Sequence, residues 1–399
     1  MPVIPRLRHR RAQRRAPASP SPRTDVATAS PSGATPARTP RAILVLLGLA
    51  LAFAVLLGLH ELRNYIGPVF LALNLVVAAA PLQVALSRKG LPGPLAAFIT
   101  GTAVFAFLVA FFWALGWSIA QMVQELPAYQ AEFESLYNQG LDLLSRFGIK
   151  EDAIISQLRD ALNPQAIIGA LGGILGNVGG ILGLLGTAAI VLFFLMVDSL
   201  SATRRLQLVR EQHPRLATAL TAFGQGVRRY WVVTTIFGLI VAVLDVVALI
   251  WLGVPLALAW GVLAFITNYI PNVGFVIGLV PPTLMALLAN GPMNALFTLI
   301  AYTVLNFGIQ TIIQPKFTGD AVGVGPTVTF LSLIVWAWVL GPIGALLALP
   351  ATLLVKAILV DADPQARWLN AFLASNPETA RAEDTRDSAL STSSESKRA

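Results

Sequence analysis

Asp245 is a carboxyl inside an otherwise apolar run, Val241 to Val247, with no basic neighbour within a helical turn. It lies roughly 20 Å along a helix counted from Val232 at 1.5 Å per residue. Ionisable groups in such runs are costly to bury and mark ion or substrate paths by default. Two readings of Asp245 stand side by side. It is a protonation or cation site facing a bundle interior, or a carboxyl hydrogen-bonded to a neighbouring helix. A second pattern lies further on, where Tyr302, Asn306, Gln310 and Gln314 recur four residues apart. That spacing puts them on one slowly turning helical stripe. Uncharged amides and a phenol suit a hydroxyl-rich polar solute, and they equally suit hydrogen bonds between helices. The stripe runs into Lys316 and Asp320, which are placed to pair with each other, to bind substrate or to form a gate. Asn268 and Asn272 flank Pro271 and offer amides and freed carbonyls at a turn. Asn74, Asp198 and Lys356 are weaker candidates, and Lys356 is expected to snorkel to an interface.

Other chemistry finds little support. The chain has no cysteine, so disulfides and thiolate metal sites are excluded. Its three histidines, His9, His60 and His213, fall in a tail or at helix boundaries. No Gly-Lys-Ser/Thr phosphate loop occurs, and no His/Glu/Asp group has metal-ligand spacing. No catalytic residue, metal or cofactor is expected, and the protein reads as something other than an enzyme. The net charge of +8 also dissolves on inspection. Residues 1–41 hold nine arginines against one acid, Asp25, which accounts for the whole excess. The high pI belongs to that tail and not to a nucleic-acid-binding body.

The elements that must position these residues are membrane helices. Of 399 residues, 56% are hydrophobic and only 12% charged, with a mean hydropathy of +0.71, against about 25% charged in a soluble domain. The expected fold is an all-α polytopic membrane protein with about six full spans and two interrupted hairpins. Residues 1–41 form a disordered Arg/Pro/Ser-rich tail. Residues 42–120 hold three spans, Ala42–Leu59, Tyr65–Leu86 (broken by Pro68 and Pro81) and Leu95–Ile119. Residues 121–165 carry seven acids and three basic residues on an amphipathic pattern, an extracytoplasmic helical segment. The core, 166–360, opens with a 32-residue apolar run, Ala166–Val197, whose glycines from Gly169 to Gly186 recur every three or four residues. Such a face lets membrane helices approach closely. An amphipathic segment, 198–229, carries six arginines against two acids and is placed in the cytoplasm by the positive-inside rule. Trp231–Leu252 and Ala295–Ile313 are further spans, and a disordered tail fills 361–399. Arg88-Lys89 then also lies inside, as do both termini.

The apolar blocks Val254–Leu288 and Thr327–Val360 are each interrupted. The first breaks at Asn268 to Gly274 and the second at Gly341-Pro342-Ile343-Gly344. Arms of about 14 to 17 residues give some 21 to 26 Å of helix against a hydrocarbon core of roughly 30 Å. They are either paired short spans or re-entrant hairpins of opposite entry, which in secondary transporters mark the binding site. The tips are Gly274, Gly341, Pro342 and Gly344.

The run Phe265 to Gly274, then Gln314-Pro315-Lys316 through Gly323 to Pro326, then Gly341 to Gly344 and Pro350, resembles the AI-2E family, the autoinducer-2 exporter-like permeases. The resemblance covers about residues 42–360 and is most specific in the second half. It implies a bacterial inner-membrane, multi-span, oligomeric transport protein. Members are assigned as exporters of the quorum signal autoinducer-2, and some as sodium(lithium)/proton antiporters. Three expectations follow. The chain exports a small polar solute, autoinducer-2-like by resemblance; or it is a sodium(lithium)/proton antiporter using Asp245; or it is a non-transporting membrane scaffold. Its expected partners are the lipid bilayer, a small polar solute or monovalent cation and proton, and further copies of itself.

Overall fold

The computed structural model describes residues 41–135, 138–139, 169, 172–173, 176, 178–271, 273–314 and 324–375. Packing divides the chain after Ala52 into two units. Within the first, the described residues are the beginning of α1 (Arg41–Glu61), whose Val45, Leu46, Leu47, Leu49 and Leu51 are exposed. Everything below concerns the second.

All regular structure among the described residues is helical. The elements are α2 (Arg63–Arg88), α3 (Gly93–Glu125), α4 (Val178–Gln212), α5 (Pro214–Trp251), α6 (Ala257–Thr267) and α7 (Gly274–Asn290). They are followed by α8 (Pro292–Asn306), α9 (Pro326–Leu340), α10 (Pro342–Lys356) and α11 (Asn370–Leu373). Two of these run on as π-helical turns, α8 through Phe307–Ile313 and α10 through Ala357–Asp361. Six of the described helices are long and apolar enough to cross a membrane, so the chain is an all-α polytopic membrane protein. Pro342–Asp361, the returning arm of the second hairpin, is one of the six, and α1 is itself a 21-residue apolar helix.

Several expected breaks are absent. Pro68 and Pro81 both sit inside an uninterrupted α2. Membrane helices tolerate proline because neighbouring groups satisfy the freed carbonyls. The segment 198–229 is not a separate element either. Its first part extends α4, its second part begins α5, and the chain turns at His213-Pro214. Proline is favoured in a first helical turn, where its missing N–H has no partner to lose. Residues 121–135 likewise continue α3 through a 3₁₀ turn, Leu126–Tyr129. The rest of the expected outer segment lies outside the described residues, apart from 138–139, and so do the tail 1–40 and the stretch 315–323.

At 38 residues, α5 is about 57 Å long and acts as a spine. The first hairpin, α6–α7, lies along its C-terminal half. At the base, Asn290 Nδ2 donates to Gly253 O (3.0 Å) and Asn294 Nδ2 to Leu252 O (2.7 Å). At the tip, Asn268 Nδ2 donates to Thr234 O (3.1 Å) and Tyr230 Oη to Tyr269 O (2.8 Å). Base and tip are thus about 27 Å apart along the spine. The second hairpin, α9–α10, turns at Gly341, whose φ of +69° favours glycine. Its arms are tied by Ser332 and Thr352 (2.6 Å) and by Trp336 Nε1 donating to Thr352 Oγ1 (3.0 Å). Leu347 of α10 shares a core with Val227, Tyr230 and Trp231 of α5, and the π-turn after α10 also packs on α5.

The two tips converge. Ile266 and Ile270 from the first hairpin, and Pro342 and Ile343 from the second, wall one apolar cavity of about 200 Å³ together with Trp231 and Phe111. Both returning arms are sealed in the same way. A Cβ on Gly274 would collide with the Thr267 carbonyl, and one on Gly344 with the Trp336 carbonyl. The second tip also meets the α1–α2 turn, where the His60 ring stacks on Trp338 with centroids 5.0 Å apart.

Two further expectations need adjustment. The glycine stripe does not seat a helix of this chain among the described residues. A Cβ on Gly172, Gly173, Gly176, Gly183 or Gly186 would meet open space. The segment after Val360 is not all tail. Asp361 pairs with Lys356 (2.9 Å) and accepts from Asn370 Nδ2 (3.1 Å), and Gly325 N donates to Leu373 O (2.8 Å). Lys356 is thus paired within this C-terminal segment.

Candidate functional site

Three elements build one polar cluster inside apolar helices. α5 brings Asp245, the first hairpin's tip brings Asn268, and α8 with its π-turn brings Tyr302, Asn306 and Gln310. The stripe on α8 faces inward because its other faces are apolar and exposed, as at Leu296, Ile300, Val304 and Phe307. The π-turn starting at Phe307 widens the helix where Gln310 must reach the hairpin.

The amides form a relay. Asn268 Nδ2 donates to Thr234 O of the spine (3.1 Å), and its Oδ1 accepts from Gln310 Nε2 (2.9 Å). Gln310 Nε2 also donates to Asn306 Oδ1 (3.0 Å). Asn306 Nδ2 donates to Tyr302 O (2.9 Å) and, at a long 3.4 Å, to Asp245 Oδ2. The relay thus ties the hairpin tip, the spine and α8 to the one carboxyl in the lining. Asp245 is fully buried.

What the relay leaves open is informative. Asp245 Oδ1 and Tyr302 Oη are buried with no hydrogen-bond partner among the described residues, and so is Thr298 Oγ1 one turn before Tyr302. Each such group costs about 1–3 kcal/mol when left unmade. Asp245 and Tyr302 line a cavity of about 10 Å³ that also touches Thr267, Gly274 and Gly278. That is room for one water or a species of similar size. A carboxylate oxygen, a phenol and nearby amide oxygens are hard donors of the kind that hold a proton, a water or a small monovalent cation. A solute with several hydroxyls does not fit the cavity in this state.

The structure therefore brings together Asp245, Asn268, Tyr302, Asn306, Gln310 and Gly274. Gln314 lies one turn beyond, half-buried at the end of the same helix. Pro271 closes the turn without lining the cavity. Gly341, Pro342 and Gly344 belong to the second hairpin, and of these Pro342 lines the apolar cavity. Asn272, Lys316 and Asp320 lie outside the described residues. Asn74 is buried with its amide donated to Phe70 O (2.7 Å), and Asp198 forms an exposed pair with Arg205 (2.7 Å).

Reading the sequence missed the tip's anchor. Tyr269 is fully buried, accepts at its carbonyl from Tyr230 Oη (2.8 Å), and shares a hydrogen bond at its hydroxyl with Thr235 Oγ1 (2.8 Å). Trp231, Phe111 and Phe265 surround its ring. The tyrosine at the turn was a visible signal. Its partners, Tyr230 and Thr235, were not, because nothing in their spacing points to a turn 34 residues or more away.

A family model described as AI-2E family transporter matches residues 42–362, most of the chain. The chain belongs to the AI-2E transporter family. It is 29% identical over 326 residues to the AI-2 transport protein TqsA of Escherichia coli (strain K12), covering 82% of this chain and 94% of that protein. It is also 29% identical over 321 residues to the putative transport protein YhhT of the same organism, covering 78% and 89%. A putative transport protein of Haemophilus influenzae is 26% identical over 330 residues, covering 81% and 94%. All three relatives are named as transport proteins. In this AI-2E chain the hairpins that carry the resemblance are also the elements that close over Asp245 and over the apolar cavity.

Proposed function

We propose that this chain is a secondary transporter of the bacterial inner membrane in which Asp245 binds the coupling proton or monovalent cation. One observation carries the reading: a fully buried carboxyl keeps one oxygen unpaired beside a cavity that holds about one water. Buried polar atoms are as a rule hydrogen-bonded, so an unpaired carboxylate oxygen beside a cavity calls for a proton, water or ion. The Asn268 to Asn306 relay links occupancy of that cavity to the first hairpin's tip. Export of a small polar solute, autoinducer-2-like, is supported by the name of TqsA and by the polar stripe. The tips, meeting over an apolar cavity, are the gate of that path. The Arg-rich basic segments favour both termini in the cytoplasm. The open glycine stripe on α4 supports homo-oligomeric contact.

A second reading is favoured by the size of the cavity. In a sodium(lithium)/proton antiporter the Asp245 cluster would itself be the transport site, and no larger solute would pass. Purified protein in liposomes separates these readings. Polar-solute counterflow that is lost in Asp245→Asn supports the first. A sodium- or lithium-driven internal pH change without solute flux supports the second. If neither flux appears in liposomes where the protein is correctly inserted, both are sunk and a membrane scaffold remains.

A further inference from the structure

A second polar site lies away from the Asp245 cluster, between the C-terminal end of α2 and the N-terminal half of α5. Arg88 and Lys89 from the end of α2, and Arg228 from α5, line one open cleft of about 500 Å³. The remainder of its lining is apolar, including Pro81 and Val84. Among the described residues no acid lines it and none of the three cations takes part in an ion pair. Arg228 Nε is sealed from solvent with no hydrogen-bond partner among the described residues.

Each of these features has an ordinary explanation when taken alone. Cations at a helix C-terminus are favoured by its free carbonyls, which accounts for Arg88 and Lys89. It does not account for Arg228, which comes from another helix and leaves a buried guanidinium N–H unmade, a costly omission for a charged donor. A phosphate seated in the cleft meets the outer N–H groups of that guanidinium. Its oxygens accept from the planar guanidinium fork, and two further cations neutralise its charge. The apolar wall selects between sources of phosphate. A free anion gains nothing from Pro81 and Val84, whereas a lipid lays its first methylenes there. Val84 is 49% exposed, so the wall opens toward the bilayer. Basic pockets between membrane helices are where anionic headgroups dock.

We propose that this cleft binds the phosphate of an anionic membrane lipid, with Arg228 as the inner ligand and Arg88 and Lys89 at the mouth. Because α2 packs on α5, a lipid held there bridges the basic turn to the spine that carries Asp245.

The absence of native cysteine makes a local readout feasible. A single Leu82→Cys, exposed beside the cleft and not lining it, is labelled with a fluorophore in the full chain and reconstituted in phosphatidylcholine nanodiscs. It is then titrated with phosphatidylglycerol bearing a nitroxide near the headgroup, or with phosphatidylcholine bearing the same nitroxide. The arginine-rich N-terminus is present in every variant, so its contribution is common to all of them. Phosphatidylglycerol is expected to quench at a lower mole fraction than phosphatidylcholine. Each cation removed should reduce that preference by about fivefold, so Arg228→Gln with Arg88→Gln should nearly abolish it. Arg228→Lys keeps the charge without the planar fork and should retain part of the preference, which separates lost binding from a misfolded variant. Equal quenching by the two lipids overturns the proposal, as does a preference that survives in Arg228→Gln/Arg88→Gln. Millimolar inorganic phosphate that erases the preference also overturns it, by assigning the cleft to a free anion.

Discussion

Asn306 donates to one oxygen of Asp245 at 3.4 Å, and the other oxygen has no partner among the described residues. A half-satisfied carboxyl contributes little to stability, because its desolvation is not repaid. Replacing it with the isosteric amide, Asp245→Asn, should leave the midpoint of thermal unfolding unchanged or slightly raised. Transport should fall at least about tenfold and lose its pH dependence, since a coupling site has lost its titrating group. Liposome flux measured across pH, together with a thermal melt, checks both halves. A variant that melts much earlier while still transporting would make Asp245 a structural residue.

The tip of the first hairpin should show an order of effects. Tyr230→Phe removes the donor to the Tyr269 carbonyl and leaves a buried acceptor unmade, costing about 1–3 kcal/mol. Tyr269→Phe removes only the bond shared with Thr235, which still donates to Trp231 O, so about 1 kcal/mol is expected. Thermal unfolding in detergent should therefore rank Tyr230→Phe as the more damaging. The reverse order would mean that the Thr235 contact holds the tip.

Gly274→Ala and Gly344→Ala place a methyl against the backbone carbonyls of Thr267 and Trp336, which cannot rotate away. Each should destabilise its hairpin by about 1–3 kcal/mol or more. Gly183→Ala meets open space among the described residues, so it should be neutral in a protomer. It should weaken self-association if the glycine stripe seats a second copy. Melting curves and sizing by light scattering separate these outcomes.

Ile270 and Ile343 wall the same cavity from opposite hairpins. The double variant Ile270→Cys/Ile343→Cys should therefore link rapidly with a short bifunctional thiol reagent, and a condition that opens the gate should slow the reaction. Failure to link in any condition, with both single cysteines reactive, would show that the tips do not meet.

Asn268 joins the spine to the relay through both ends of its amide. Asn268→Ala cuts both bonds and should uncouple the hairpin from Asp245. Ion-dependent protection of the tip from thiol labelling, read at Ile270→Cys, should then disappear while the protein stays folded.

Much of the architecture was written in composition and spacing. A chain with 12% charged residues and long apolar runs must satisfy its backbone within helices in a bilayer. The four-residue spacing of Tyr302, Asn306 and Gln310 fixes a common face whatever that face meets. Asp245 stood out because a lone acid in an apolar run needs a reason. Local signals failed where a break depends on neighbours. Pro68 and Pro81 read as interruptions, yet α2 runs through both, and 198–229 read as a separate amphipathic segment, yet it is shared by two helices.

Sequence by itself thus determined that this is a helical membrane protein with two glycine- and proline-marked turns and one lone buried acid. It determined these because periodicity and solvent transfer act residue by residue. Only the tertiary structure decided that Asp245, Asn268 and the α8 stripe share one small cavity, that the two hairpin tips converge, and that Arg228 joins Arg88 and Lys89. Those relations depend on where helices cross, and crossing is set by packing between residues far apart in the chain. The 61 positions from Asp245 to Asn306 carry no local record of the bond between them.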